Sequence, residues 1–142
     1  MANHIYPLYK QALMRGDANA DLDNNTSTDG PYTALVDTGT YTYSATHDFY
    51  NDLSGIVGTD QRITTPTVTG AIFDGDNLTY TAVSGATVEA LVIYRHNSGA
   101  NTTWLLVCYL DSSVTGLPVT PNGGDITVTW NASGIFSLGA NT

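Results

Sequence analysis

Acidic and amide side chains at alternate positions form the pattern most suggestive of chemistry in this chain. Residues 17–23 carry Asp, Asn, Asp and Asp at every second position, which is how the oxygen ligands of a calcium loop are spaced. Such a loop also needs a glycine at its sixth position and a glutamate at its twelfth, whereas this sequence has Leu22 and Thr28 there. Because the sharp turn and the bidentate ligand are both missing, we predict a solvated linker and no metal site.

The other groups that could act as acids, bases or nucleophiles are isolated from one another. Glu89, the only glutamate, lies in an apolar run and is expected to pair with Arg62 or Arg95, because a buried carboxylate needs a partner. The single cysteine, Cys108, also lies in an apolar run, so we expect a buried, unreactive thiol. No serine lies in a G-x-S-x-G context. The three histidines, His4, His47 and His96, do not have the spacing of metal ligands. We therefore predict no catalytic residue and no cofactor, with a small hydrolase as the least supported alternative.

The charge balance excludes two classes of partner. The 142 residues include 13 Asp and Glu against 4 Lys and Arg, a formal net charge of −9. Phosphate backbones and anionic lipid surfaces repel so acidic a chain, so we predict neither nucleic-acid nor membrane binding. We find no basic segment followed by an apolar stretch at the N-terminus and no run of about 20 apolar residues, so we expect synthesis in the cytoplasm and no membrane span.

The first part of the chain differs in composition from the rest. Residues 4–15 predict a short helix that ends at Gly16, because Pro7 suits a first-turn position and apolar residues recur at four-residue spacing. A helix of this length is not stable alone, so it must pack on the domain or on a neighbouring chain. Residues 17–30 are polar and aperiodic. We predict an N-terminal helical arm and linker over residues 1–30.

Residues 31–142 are predicted to form a mostly β domain. Threonine, valine, isoleucine, tyrosine and glycine dominate there, and apolar and polar residues alternate over 126–130, as in a strand with one buried face. Residues 88–94 and 104–110 are almost continuously apolar and are expected to form central strands with both faces covered. One helix is predicted over residues 46–55. With turn signals between the runs, the pattern predicts an antiparallel β-sandwich of the jelly-roll kind.

Aromatic residues point to binding, since the chain has nine tyrosines and two tryptophans. Both types are enriched at protein interfaces and at sugar-stacking sites, because they join apolar area to a polar tip. The alternative is that the tyrosines fill the core of the sandwich. We predict that the N-terminal helix and a tyrosine cluster contact other proteins through Ile5, Tyr6, Tyr9, Leu13, Met14, Tyr41, Tyr43 and Tyr50.

Several segments carry a resemblance to a known family. They are residues 34–41, 45–53, 89–94 and 116–126, followed by Trp130. Over nearly all of its length the chain resembles a family of small structural proteins encoded by tailed bacteriophages and prophages. It departs from them at residues 17–29, where this sequence has a longer insert rich in Asn and Asp. The resemblance implies a component of the virion, and its motifs are signatures of a fold rather than of an active site.

The function expected from these observations is capsid decoration. We expect a decoration (cement) protein that binds the outer surface of the major capsid protein lattice as a homotrimer. An acidic chain suits the capsid exterior better than an interior packed with nucleic acid, and a surface with few flexible charged side chains loses less entropy on binding. The alternative is a carbohydrate- or receptor-binding module of the tail or of capsid fibres, in which exposed tyrosines stack on sugar rings.

Overall fold

The computed structural model describes residues 3–24, 26 and 28–139. Within them the chain forms ten β-strands, one α-helix and two 3₁₀ helices. The strands and the α-helix, in chain order, are β1 (His4–Ile5), α1 (Pro7–Arg15), β2 (Gly30–Val36), β3 (Ile56–Arg62), β4 (Thr67–Thr69), β5 (Ile72–Asp74), β6 (Leu78–Tyr80), β7 (Ala90–His96), β8 (Leu105–Leu110), β9 (Ile126–Val128) and β10 (Phe136–Ser137). The 3₁₀ helices are Tyr50–Asp52 and Asn101–Thr103.

A five-stranded antiparallel sheet forms the centre of the fold, in the order β1-β8-β7-β2-β3. Strands β7 and β8 come from the two nearly continuous apolar runs, and every residue of β8 is buried. In β7, the consecutive residues Leu91, Val92 and Ile93 are fully buried. Because consecutive side chains of a strand point to opposite faces, both faces of this sheet are covered. The prediction of central strands in these two runs is confirmed.

Two smaller antiparallel sheets complete the fold, with strand orders β10-β5-β4 and β6-β9. Their buried residues, among them Phe73 and Val128, belong to one hydrophobic core with those of the five-stranded sheet. The hydroxyls of Tyr80 in β6 and Thr33 in β2 share a buried hydrogen bond that joins two of the sheets. The fold is therefore mostly β, antiparallel and sandwich-like with a short N-terminal helix, as predicted.

The N-terminal helix is shorter than residues 4–15, and this part of the prediction is wrong. His4 and Ile5 pair with Tyr109 and Cys108 as an edge strand, and α1 begins at Pro7. Tyr6 has an extended backbone, because proline disfavours the helical conformation in the residue before it. The helix ends at Gly16 as predicted. Across the described part of the chain, no helix combines the length and the apolar character needed to cross a membrane.

The helix predicted over residues 46–55 is also wrong, since only Tyr50–Asp52 form a single 3₁₀ turn. The segment instead runs beside β8. The Leu106 N–H donates to the carbonyl of Asp48, and the Tyr50 N–H donates to the carbonyl of Trp104, both at 2.9 Å. These long-range backbone bonds replace the local bonds of a helix, and local spacing carries no information about them.

Residues 17–24 pack on the β domain. Ala20 and Leu22 are buried, and the Arg95 side chain, only 1% exposed, donates to the carbonyl oxygen of Asp21 at 2.7 Å and to its Oδ1 at 3.1 Å. The segment predicted as an arm and linker, residues 1–30, thus shares its core with the segment predicted as the domain, residues 31–142. Residue 30 itself begins β2.

Candidate functional site

One face of the three-stranded sheet is built from apolar side chains. Val68 in β4 is paired with Phe73 in β5, which is paired with Phe136 in β10, and directly paired residues share a face. Leu138 lies two residues after Phe136, so it points to the same side. The Leu138 N–H donates to the carbonyl of Ala71 at 3.0 Å, which extends the strand pairing to this residue.

This face, together with α1 and the segment after it, encloses an apolar groove of about 200 Å³. Here the apolar groove means the cavity lined by Tyr9, Leu13, Ala20, Asp21, Leu22, Asp23, Val68, Ala71, Phe73, Phe136 and Leu138. In this lining, Val68 and Leu138 are 50% and 48% exposed. Large side chains exposed around an apolar concavity are typical of a surface that another molecule covers.

The opposite face of the same sheet differs from the groove face. Ile72 is adjacent to Phe73 in β5, so its side chain points away from the groove. A Cβ atom at Gly134 would lie only 2.5 Å from the Ile72 side chain, so the loop before β10 passes over that face. Ile72 is therefore a natural control position for substitutions in the groove.

The charges of the apolar groove are all negative. Its lining includes Asp21 and Asp23 and, among the described residues, no Lys, Arg or His. Asp21 Oδ1 accepts a hydrogen bond from the buried Arg95, whereas Asp23 is exposed. The groove therefore combines apolar surface with carboxylates at one side.

Three of the tyrosines predicted to contact partners lie in the core. Tyr6, Tyr9 and Tyr41 are buried. The hydroxyls of Tyr6 and Tyr41 share a hydrogen bond of 2.8 Å, and the Tyr9 hydroxyl donates to the carbonyl of Ala20 at 2.8 Å. Burial raises the pKa of Tyr6 and of Tyr9 above the usual tyrosine value. These side chains pack in the core, which is the alternative interpretation given above for the tyrosines. Tyr9 also lines the apolar groove.

The remaining predicted contact residues lie in three places. Leu13 lines the apolar groove, whereas the next helix residue, Met14, is 82% exposed and is not part of the groove lining. Ile5 is half-buried in the edge strand β1. Tyr43 is half-buried, and its ring stacks on the His4 ring at a centroid distance of 4.4 Å. The structure thus brings Tyr9 and Leu13 together at the groove and Tyr6, Tyr41 and Tyr43 together elsewhere.

Tyr50 belongs to an aromatic cluster around a carboxylate. Its hydroxyl and that of Tyr94 donate to the same atom, Asp60 Oδ2, at 2.7 and 2.8 Å. The ring of Trp104 lies 5.2 Å from the Tyr50 ring and 5.8 Å from the Tyr94 ring. Burial raises the pKa of Asp60, and the two hydroxyl donors lower it by less.

A second concavity is lined mainly by aromatic and polar side chains. It measures about 370 Å³, and its lining residues are His4, Thr38, Tyr41, Thr42, Tyr43, Tyr109 and Asp111. Near it, the Tyr41 hydroxyl bonds to His47 Nδ1 at 2.8 Å. We call this concavity the tyrosine cleft.

The carboxylates do not assemble into a metal site. Asp17 pairs with Arg15, and Asp21 pairs with Arg95, so the alternating oxygens of the calcium-like spacing point to different partners. Within the described residues, no three His, Cys, Asp or Glu side chains are placed to hold a metal ion. Burial and the neighbouring Asp52 carboxylate raise the pKa of Asp48.

Two further expectations about single residues have clear outcomes. Glu89 was expected to pair with Arg62 or Arg95, but its Oε2 accepts the backbone N–H of Thr38 at 3.0 Å, and Arg95 pairs with Asp21. The chain thus satisfies this half-buried carboxylate with a backbone donor. Cys108 is buried as predicted, and burial raises the pKa of its thiol to about 12, so the reactive thiolate is disfavoured at neutral pH.

The sheet side of the apolar groove, namely Val68, Phe136 and Leu138, was not predicted from the sequence. Alternation predicts a strand around Val68, but which face remains uncovered depends on the elements that pack against it. A scan against protein-family models found no match, and a search of curated proteins also found none.

Proposed function

We propose that this chain is a structural protein of a tailed-bacteriophage virion, a decoration protein that binds the outer surface of the major capsid protein lattice. The observation that carries the proposal is the apolar groove with its exposed rim. Val68 and Leu138 in that rim keep about half of their surface in water. Burying a large apolar side chain is worth roughly 1.5–3 kcal/mol, so this rim favours association with another protein.

The remainder of the molecule agrees with a binding role. The only thiol is buried, and the groove holds no acid–base pair. The net charge of −9 favours contact with a basic or neutral protein surface and disfavours the space occupied by packaged nucleic acid. The resemblance of the sequence to phage structural proteins is the reason for proposing that the particle is a phage virion. The bound form is proposed to be a homotrimer, which sedimentation velocity at several concentrations will check.

The direct experiment determines where the chain lies in the virion. Virions of a phage that encodes this chain are purified, labelled with gold-conjugated antibody against the folded protein, and viewed by electron microscopy. We expect label distributed over the head of intact particles, with antibody against an internal head protein as the control that must not label them. Particles without label, or with label confined to the tail, would refute the decoration role.

A second candidate, carbohydrate binding, is favoured by the tyrosine cleft. Its aromatic rings, threonine hydroxyls and Asp111 carboxylate are groups that contact neutral sugars. However, one face of the Tyr43 ring is already covered by His4. A glycan array with the isolated protein separates the candidates: saturable binding that Tyr43→Ala abolishes would favour a receptor-binding module over capsid decoration.

A further inference from the structure

We propose that the apolar groove is the docking site for a segment of a partner protein that carries apolar side chains next to Lys or Arg. This inference rests on the proposed function, because it names the chemistry of the partner for the same surface. It follows from three observations: the size of the groove, the carboxylates at its edge, and the net charge of the whole chain.

The size of the groove suits side chains rather than a free small molecule. Its volume of about 200 Å³ is below the roughly 300–1,000 Å³ of typical small-molecule sites. The paired residues Val68, Phe73 and Phe136 form a continuous apolar floor, and Leu13 of α1 forms the opposite wall. A concavity of this kind is where the central apolar residues of a protein interface insert, and a few such residues carry most of the binding energy.

The carboxylates at the edge of the groove determine which residues can flank the inserted apolar side chains. Asp21 and Asp23 lie on one side of the groove, and no cation of the described residues lines it. The buried Arg95 pairs with the Asp21 carboxylate and not with that of Asp23, so the Asp23 charge is the one left for a partner. A Lys or Arg beside the inserted apolar residues would meet these carboxylates, whereas an acidic flank would be repelled.

The charge of the whole chain disfavours a second copy as the occupant. Each copy has a net charge of −9 from 13 acidic and 4 basic residues. Of those basic residues, Arg15 pairs with Asp17 and Arg95 pairs with Asp21. A second copy therefore has little positive charge to place against Asp23 in the groove.

The experiment selects the segment without assuming its sequence. A random peptide library displayed on yeast is sorted for binding to the folded full chain, and enriched peptides are synthesised and titrated by fluorescence anisotropy. We expect enriched peptides to place Lys or Arg beside apolar residues. We expect Leu138→Ser to weaken their binding by at least about tenfold, as for a central interface residue, and Asp23→Asn and added salt to weaken it by a smaller factor.

Two matched variants keep the result interpretable. Ile72→Ser makes the same kind of change on the opposite face of the sheet and is expected to leave binding unchanged. Val68→Thr keeps the side-chain shape but replaces one methyl group by a hydroxyl. It therefore reports on the groove if Leu138→Ser unfolds, which circular dichroism will show.

Each contrary result has a defined meaning. The inference fails if no peptide is enriched, if the enriched peptides are acidic, or if neither groove variant affects binding. Self-association in sedimentation velocity that Leu138→Ser abolishes would assign the groove to a second copy and overturn the inference. These failures are distinct from failure of the proposed function, because antibody labelling of virions with the unsubstituted chain does not depend on the partner's sequence.

Discussion

At the scale of single residues, Asp60 is the clearest case of a carboxyl group whose ionised form the fold disfavours. Two tyrosine hydroxyls donate to it, yet burial raises its pKa. The ionised form is therefore disfavoured by folding. This group stabilises the fold below about pH 4, the unfolded value, and that contribution is lost as the pH rises through the higher folded-state value.

Substitution of Asp60 by Asn tests this assignment. The amide oxygen of Asp60→Asn can still accept from Tyr50 and Tyr94, but the side chain cannot ionise. We expect a higher melting temperature than the wild type at pH 7 and a smaller difference near pH 4, measured by circular dichroism. Asp23→Asn makes the same change of net charge at an exposed position, and an identical profile for both variants would contradict the local explanation.

Arg95 is the residue that attaches the N-terminal segment to the central sheet. Its guanidinium bonds to the backbone and side chain of Asp21 and to the carbonyl of His96. Arg95→Ala leaves these acceptors without their donor, and we expect a loss of about 1–3 kcal/mol in the free energy of unfolding, measured with urea. Asp21→Asn retains the backbone acceptor, so a loss as large as that of Arg95→Ala would contradict this account.

At the scale of elements, α1 ends through its backbone geometry. Gly16 has a φ of 70°, and a Cβ atom added there would meet nothing within 4 Å. Gly16→Ala therefore introduces left-handed strain without a clash, and we expect a loss of about 1 kcal/mol in the free energy of unfolding. Gly16→Asn should lose less, since asparagine tolerates this conformation. Equal losses for the two variants would point to a cause other than backbone strain.

The elements also show what could be predicted from sequence. The apolar runs that became β7 and β8 were recognisable because burial on both faces leaves a continuous apolar pattern. The helix expected over residues 46–55 failed because Phe49 and its neighbours bond to β8, far along the chain. Similarly, Leu13 and Met14 could be proposed from one face of a short helix, whereas the sheet side of the apolar groove required the pairing of β4, β5 and β10.

At the scale of the whole molecule, the described part of the chain combines a buried core with an apolar groove that has exposed side chains in its lining. Most tyrosines proposed for binding fill or border the core, as Tyr6 and Tyr41 do. The exposed side chains of Val68 and Leu138 belong to the surface that we propose contacts another protein. Because the net charge is −9, we propose a partner surface that is apolar and basic.

The measurement that tests this account most directly is incorporation of variants into virions. A phage lacking its own copy of the gene is grown in hosts that supply the wild type, Leu138→Ser or Ile72→Ser, and the amount of chain in purified particles is measured by quantitative mass spectrometry. The account predicts that Leu138→Ser, although folded, falls at least about tenfold below the wild type while Ile72→Ser matches it. Equal incorporation of all three proteins, or none of the wild type, would contradict it.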